Sequence, residues 1–432
     1  MRGRTASKLS QMLETLTPDG SFLFITRIAR MFAYGFLSVV LVLYLAQVGL
    51  SETEIGLLLT LTLIGDTIIS LWITTNADRI GRRRMLILGA FLMIFAGILF
   101  TMTRNFLFLL VAATVGVISP SGYEVGPFLS IEQAALSQIV PNERRTQIFA
   151  WYNLVGSFAT ALGALAGGTL VQALQGSGVT PLGSYRTVVI GYAIIGVILG
   201  GLFTRLSRAV EVPAGADSTH STSALKTRFG LHRSRGVVLK LSALFSLDAF
   251  AGGFVVTTFI VFWFERTYGA SAGLMSVVVF AGGLLQAGSS IVAARVGARF
   301  GLLNTMVFTH LPSNILLVLV PFMPTLGSAI AVLLARFALS QMDVPTRQAY
   351  ITAMVDPEER TAAAAYTNTS RYVARPFGPL VGTVLMQNVA LGAPFVAAGS
   401  LKCVYDLLLW RVFNRVGLPS GSSRATTPRP SG

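Results

Sequence analysis

The stretch FLFLLVAATVGVISPSGYEVGP, residues 106–127, opens on an apolar run and ends on two prolines, two glycines and a glutamate. If the apolar part belongs to a membrane crossing, the rest is a break in that crossing with a charge beside it. Irregular backbone and charge are both costly at membrane depth unless they face protein or water. Whether the stretch is a broken span therefore decides the fold, and the rest of the chain supplies the answer.

Charged residues are 12% of the 432 positions and hydrophobic residues 53%. Soluble domains carry about twice that share of charge, and one soluble core of this length could not bury so much apolar surface. Runs such as residues 277–294 approach the ~20 apolar residues that cross a bilayer. The chain is read as an all-α polytopic membrane protein. The net charge of +15 does not point to nucleic acid, because the basic residues lie between apolar runs and not on one soluble face. The single cysteine, Cys403, excludes an internal disulfide and suits a small core position. The first apolar run, residues 22–47, is too long for a signal h-region and ends without an A-x-A site, so it is expected to stay as the first span.

Twelve spans are expected, starting near Phe22, Glu54, Met85, Phe106, Gln147, Tyr185, Val237, Ser271, Asn304, Leu326, Ala362 and Pro394. The arginine-rich connections, among them residues 79–84, 144–145 and 205–240, alternate with connections holding only Arg104, Arg186 and Arg266. That asymmetry places both termini in the cytoplasm. The polar, basic segment 206–236 reads as a cytoplasmic linker between two six-span halves, residues 22–205 and 237–413, with residues 1–21 and 414–432 as cytoplasmic ends.

The halves match in sequence. VGLSETEIGLL from Val48 aligns with YGASAGLMSVV from Tyr268 at a shift of 220, and the same shift carries Gly81 onto Gly301. QAALSQIVPNERRT from Gln133 resembles QAYITAMVDPEERT from Gln348 at a shift of 215, which also carries Gly163 and Gly167 onto Gly378 and Gly382. Parallel six-span repeats place a substrate site near the midplane between the halves.

ADRIGRRR, residues 77–84, resembles the signature loop G-x-x-x-D-R-x-G-R-R of the major facilitator superfamily, with Thr74 at the first glycine. The resemblance covers essentially the whole chain. It implies the twelve-helix fold of that family, a monomer, and a cytoplasmic latch in which Asp78, Arg79, Gly81 and Arg82 take part. GALAGG, residues 163–168, resembles the G-P-x-x-G-G element of proton-coupled exporters, with Ala164 in place of proline. In this superfamily spans one, four, seven and ten line the cavity. Glu132 and Arg347, at equivalent positions of the two repeats, are read as gate or structural salt bridges.

Charges inside the spans fall heavily on those four: Arg27, Arg30, Glu124, Glu132, Asp248, Arg336, Asp343 and Arg347. Each needs a partner or a wet cavity. Arg27 is expected to snorkel to the headgroups, and Lys402 with Asp406, one turn apart, to satisfy each other. Arg371 and Arg375 are expected to pair with Asp343 or a substrate anion. Glu124 has no basic residue a turn away, and the broken backbone around it suits a watery cavity, so Glu124 with Tyr123 is the candidate proton or substrate site. Arg30, Asp248, Arg336 and Asp343 complete the candidate set. Nothing resembles a nucleotide loop, no metal-ligand cluster stands out, and no cofactor is expected. The reading is a secondary active transporter of the plasma membrane, not an enzyme, exporting a small amphipathic compound against protons; the rival is a carrier or exchanger of an organic or phosphorylated anion.

Overall fold

A computed structural model describes residues 17–120, 122, 124, 126–211 and 234–414. Tyr123, most of the linker and nearly all of both terminal segments lie outside the described residues. The first half is built from α1 (Pro18–Ser38), α2 (Leu41–Val48), α3 (Glu52–Ile80), α4 (Arg82–Met102), α5 (Phe106–Val115), α6 (Phe128–Ile139), α7 (Asn142–Gly176) and α8 (Pro181–Thr204). The second comprises α9 (Arg235–Gly253), α10 (Thr257–Tyr268), α11 (Ala272–Phe300), α12 (Leu302–Leu319), α13 (Leu326–Leu339), α14 (Asp343–Met354), α15 (Arg360–Ala374), α16 (Gly378–Asn388) and α17 (Ala393–Phe413).

Among the described residues nine helical segments are long and apolar enough to cross a membrane, or ten when α1 and α2, bent by 46°, count as one. The two other expected spans are segmented. Span four is α5 and α6 around a break whose described residues, 116–120, 122, 124, 126 and 127, are not helical, and there Gly122 and Gly126 take φ of +71° and +82°. Pro120 and Pro127 lack the N–H that a helix would use there. Span eleven is α15 and α16 joined by a 3-10 turn, Arg375–Phe377. Large apolar side chains on the outer surface, such as Phe91, Met102 and Phe108, are exposed, as lipid-facing positions require.

The repeat is visible in local geometry. Ser51 and Ser271, 220 positions apart, cap α3 and α11 by accepting the N–H of Glu54 and of Leu274. Arg145 and Arg360, 215 apart, each reach back eight residues to a helix-end carbonyl, of Ser137 at 2.6 Å and of Thr352 at 3.0 Å. The first and fifth spans cross where Gly163 and Gly167 meet the carbonyls of Phe32 and Phe36. The seventh and eleventh cross where Gly378 and Gly382 meet those of Phe250 and Phe254, and a Cβ on these two would sit 2.8 and 2.6 Å from the carbonyl oxygens. Only glycine allows so close an approach of two helix backbones.

The halves join at one end of the molecule. There α3 packs on α16, with the Leu380 N–H bonded to Thr60 at 3.0 Å and Thr53 bonded to Gln387. On the other flank α7 packs on α11, where Gly168 lies against Ala272 and Ser276, and Gly273 against Gln172. All of these contacts lie toward the turns at residues 49–51 and 269–271. The loop at Asp78–Arg82 lies at the far end of α3 and bonds within its own half and to Val210 and Glu211 just beyond it.

Candidate functional site

A cavity of about 550 Å³ lies between the halves. The first half gives it a wall of small side chains, among them Ser38, Gly122, Thr160, Ala161 and Ala164. Every charged side chain on it comes from the second half: Arg336, Arg347, Arg371, Arg375 and Lys402 against Asp248 and Asp343, with His310 beside them. Counting the imidazole as neutral, five cations face two carboxylates. Among the described residues Arg371 makes no hydrogen bond or ion pair, and its Nε is buried without a partner.

Two ion-pair networks flank the cavity, one in each half. In the first half Arg30 grips Glu132 with two bonds, Nη1 to Oε1 at 2.6 Å and Nη2 to Oε2 at 2.7 Å, and both side chains are fully buried. Tyr152 and Thr26 donate hydroxyls to the same carboxylate. Arg30 Nε also donates to Glu124 at 3.0 Å, and Arg27 donates to the other oxygen of Glu124. The guanidiniums of Arg27 and Arg30 lie 4.8 and 4.7 Å from the ring centres of Tyr152 and Phe128. Neither Arg30, Glu124 nor Glu132 lines the cavity, although Gly122 does. The break in span four thus brings Gly122 to the cavity wall and turns Glu124 back onto two arginines. The break is held by Asp66 of α3, which accepts the Gly126 N–H.

In the second half Arg347 donates to Asp343 at 2.9 Å and lies 3.6 Å from Asp248. Lys402 Nζ is 2.5 Å from Asp248, and His310 Nδ1 is 2.9 Å from Asp406. Asn314 donates to Asp406 at 2.8 Å. The two networks are related by the repeat, with their polarity reversed. The glycine crossings pair Phe32 with Phe250 at a shift of 218, which pairs Arg30 with Asp248; the shift of 215 pairs Glu132 with Arg347. A cation on span one and a carboxylate on span four become a carboxylate on span seven and a cation on span ten.

Several sequence-based pairings are corrected. Arg27 does not snorkel: it is buried and bonded to Glu124. Lys402 and Asp406 do not satisfy each other, because Lys402 turns to Asp248 and Asp406 to His310 and Asn314. Asp343 takes Arg347, one turn along its own helix. Glu132 and Arg347, read as gate or structural salt bridges, each sit in a buried ion pair of their own half. His310, given no role from the sequence, sits at the centre of the second network. A histidine on an apolar helix gives little warning of this.

At the far end Arg82 Nε bonds Asp78 at 2.8 Å, and Arg82 Nη1 reaches Gln138 of α6 at 2.9 Å and the Val210 carbonyl at 3.2 Å. Gly81, at φ +114°, turns the chain from α3 to α4, and Arg79 is exposed. Thr74, at the position of the motif's first glycine, bonds Ser130 of α6 at 2.9 Å. Two partners escaped the sequence reading. Glu211 caps α4 by accepting the N–H groups of Arg82 and Arg83 at 2.7 and 3.1 Å. Gln138 holds the chain beyond α8 through the Ala209 and Glu211 carbonyls.

Comparison with known proteins agrees with this architecture. A Saccharomyces cerevisiae membrane protein, YJR124C, is 32% identical over 409 residues, covering 89% of this chain and 91% of the yeast protein. The quinolone resistance protein NorA of Staphylococcus aureus is 24% identical over 138 residues, 32% of this chain and 34% of NorA. The crystal structure of a bacterial homologue of the iron transporter ferroportin, in an inward-facing state, superposes with a TM-score of 0.69 over 92% of this chain and 99% of that one, at 11% identity. The model of the Major Facilitator Superfamily matches residues 23–379. With its paired halves, its motif loop and its central cavity, the chain belongs to the Major Facilitator Superfamily, whose members are transporters and not enzymes.

Proposed function

We propose that this protein is a secondary active transporter that carries a small organic anion by alternating access, working as a monomer in the plasma membrane with both termini cytoplasmic. The observation that carries the reading is the cavity wall, where Arg336, Arg347, Arg371, Arg375 and Lys402 outnumber Asp248 and Asp343. Planar guanidiniums suit carboxylate or phosphate oxygens, and Arg371, with a buried Nε lacking a partner, supports a role in holding a bound anion. The first half, residues 22–205, offers small side chains that leave room for the cargo. The second, residues 237–413, would supply the charges. With the halves in contact at the turns around Gly49 and Gly269, the cavity would open toward the arginine-rich loops, the arrangement named for the ferroportin homologue. On this reading Asp78, Arg79, Gly81 and Arg82 form a latch that closes in the opposite state, and Arg30–Glu132 and Asp248–Arg347 keep each half rigid as it rocks.

A second reading, proton-coupled export of an amphipathic compound, is favoured by Glu124 in the broken span and by the partial similarity to the quinolone resistance protein. Metabolite profiles of cells and medium separate the two. Cells without the protein are compared with cells expressing wild type, Arg371→Gln or Glu124→Gln. The anion reading expects a carboxylate or phosphate ester whose distribution depends on the protein and reverts in Arg371→Gln. An uncharged or cationic compound retained only without the protein or in Glu124→Gln cells would support the exporter instead.

A further inference from the structure

The cluster behind the cavity contains a buried imidazole between two carboxylates. His310 Nδ1 lies 2.9 and 3.1 Å from the two oxygens of Asp406 and 3.1 Å from the Asn314 amide nitrogen, while Nε2 lies 3.9 Å from Asp248. Asp406 is fully buried and does not line the cavity, whereas His310, Asp248 and Lys402 do. The imidazole thus lies between the cavity and Asp406, in contact with both. Asn314 fixes the carboxylate by donating to Oδ2 at 2.8 Å, which keeps Oδ1 turned to the ring.

The charges facing His310 can be set out helix by helix. Its own helix, α12, adds only the amide of Asn314. From α17 come Lys402, Asp406 and the ring of Tyr405, 6.0 Å away edge-on. Asp248 comes from α9, and Asp343 with Arg347 from α14. Arg336 of α13 and Arg371 of α15 share the cavity wall, to which α11 brings only uncharged side chains such as Gln286. Within the contacting network three carboxylates, Asp248, Asp343 and Asp406, meet two fixed cations, Arg347 and Lys402. Asp248 and Asp343 each meet a lysine or arginine, whereas Asp406 is bonded only to His310 and Asn314 among the described residues, and an uncompensated charge in such a place is strongly unfavourable. A proton on His310 removes it.

We propose that His310 and Asp406 form a proton-binding dyad, charged in the conformation described here, and that this dyad is the seat of the coupling ion. The step is a simple proton transfer. In the proposed neutral tautomer Nδ1–H bonds Asp406; hydronium in the cavity gives its proton to Nε2 and leaves as water, and an imidazolium–carboxylate pair results. Loss of the same proton to the cavity leaves Asp248 facing a neutral ring, with Lys402 and Arg347 as its remaining partners. The proposal extends the transport reading above by naming its ion, yet it rests on the cluster and not on the cargo.

The test needs no substrate. The chain has three histidines, so a His220→Gln/His232→Gln background leaves His310 as the only one. In ¹⁵N-histidine-labelled full-length protein in nanodiscs, the ring nitrogens report imidazolium directly. At neutral pH the wild-type cluster should give the imidazolium signature. Asp406→Asn and Asp248→Asn should each lower the imidazolium-to-imidazole ratio at least about tenfold, equivalent to about 1.4 kcal/mol, and Lys402→Met should keep the ring charged. If Asp406→Asn does not yield folded protein, Asp248→Asn carries the test alone. A neutral ring in wild type at neutral pH, or a ratio indifferent to both carboxylate changes, overturns the proposal. Failure of the anion reading in metabolite profiles would leave this result untouched, so the two can fail separately.

Discussion

At the scale of single residues, the interior is governed by which charge finds which partner. Arg30 and Glu132 are both fully exposed to protein and not to water, so removing one strands the other. Glu132→Leu is expected to cost about 3–5 kcal/mol for this reason, seen as a large fall in the thermal unfolding midpoint of detergent-purified protein. Arg30→Met with Glu132→Leu should lose less than the single change. The reversed polarity of the second half makes a sharper forecast. Exchanging the charges, Arg30→Glu with Glu132→Arg, should recover part of the stability that either single reversal loses, because Asp248 and Arg347 hold that order in the equivalent frame. No recovery in the double variant would show that Tyr152, Thr26 and Glu124 dictate the polarity. Partner choice was the least legible part of the sequence. Asp343 and Arg347 do pair at a spacing of four, as helix geometry favours, but Lys402 and Asp406 at the same spacing do not. Local spacing lists who can meet, while burial lets a partner 154 positions away win.

At the scale of elements, the glycines that let helix backbones touch were legible because the repeat placed them twice in the same register. Gly163→Ala should drive a methyl into the Phe32 carbonyl and cost about 1–3 kcal/mol, with Gly382→Ala against Phe254 behaving alike. Gly201 of α8 has nothing within 4 Å of its missing Cβ, so Gly201→Ala should be neutral or stabilise by about 0.5–1 kcal/mol. Thermal midpoints of the three variants check both halves of this statement; equal losses in all would remove the packing explanation. Span four was legible as broken, because two prolines and two glycines cannot continue a helix. Where its glutamate would point was not legible, since that depends on Arg27 and Arg30 of another helix, 97 and 94 positions away. Glu211 was missed for a related reason: a helix N-terminus takes any nearby carboxylate, and the sequence does not say which is near.

At the scale of the whole molecule, the two halves touch at one end and present one charged wall and one small-residue wall to the space between them. Thr53→Cys with Gln387→Cys, in a Cys403→Ser background, should cross-link under oxidation and hold that end shut; reduction should restore transport. Free thiols that never cross-link would mean that this end opens most of the time. The all-helical membrane fold, the family and the repeat of the halves could be read from apolar runs, basic loops and repeated motifs. The one-sided distribution of charge could not, because it emerges only when α9, α13, α14, α15, the turn at Arg375–Phe377 and α17 converge on one cavity. The most direct test of the anion reading is ligand-induced stabilisation of the purified protein. Monocarboxylates, dicarboxylates, sugar phosphates and organic cations would be screened against wild type and Arg371→Gln. A ligand at 100 times its dissociation constant adds about 2.7 kcal/mol, a readily measured rise in the unfolding midpoint. The account expects that rise from at least one anion in wild type and its loss in Arg371→Gln; stabilisation by cations alone, or by an anion regardless of Arg371, would contradict it.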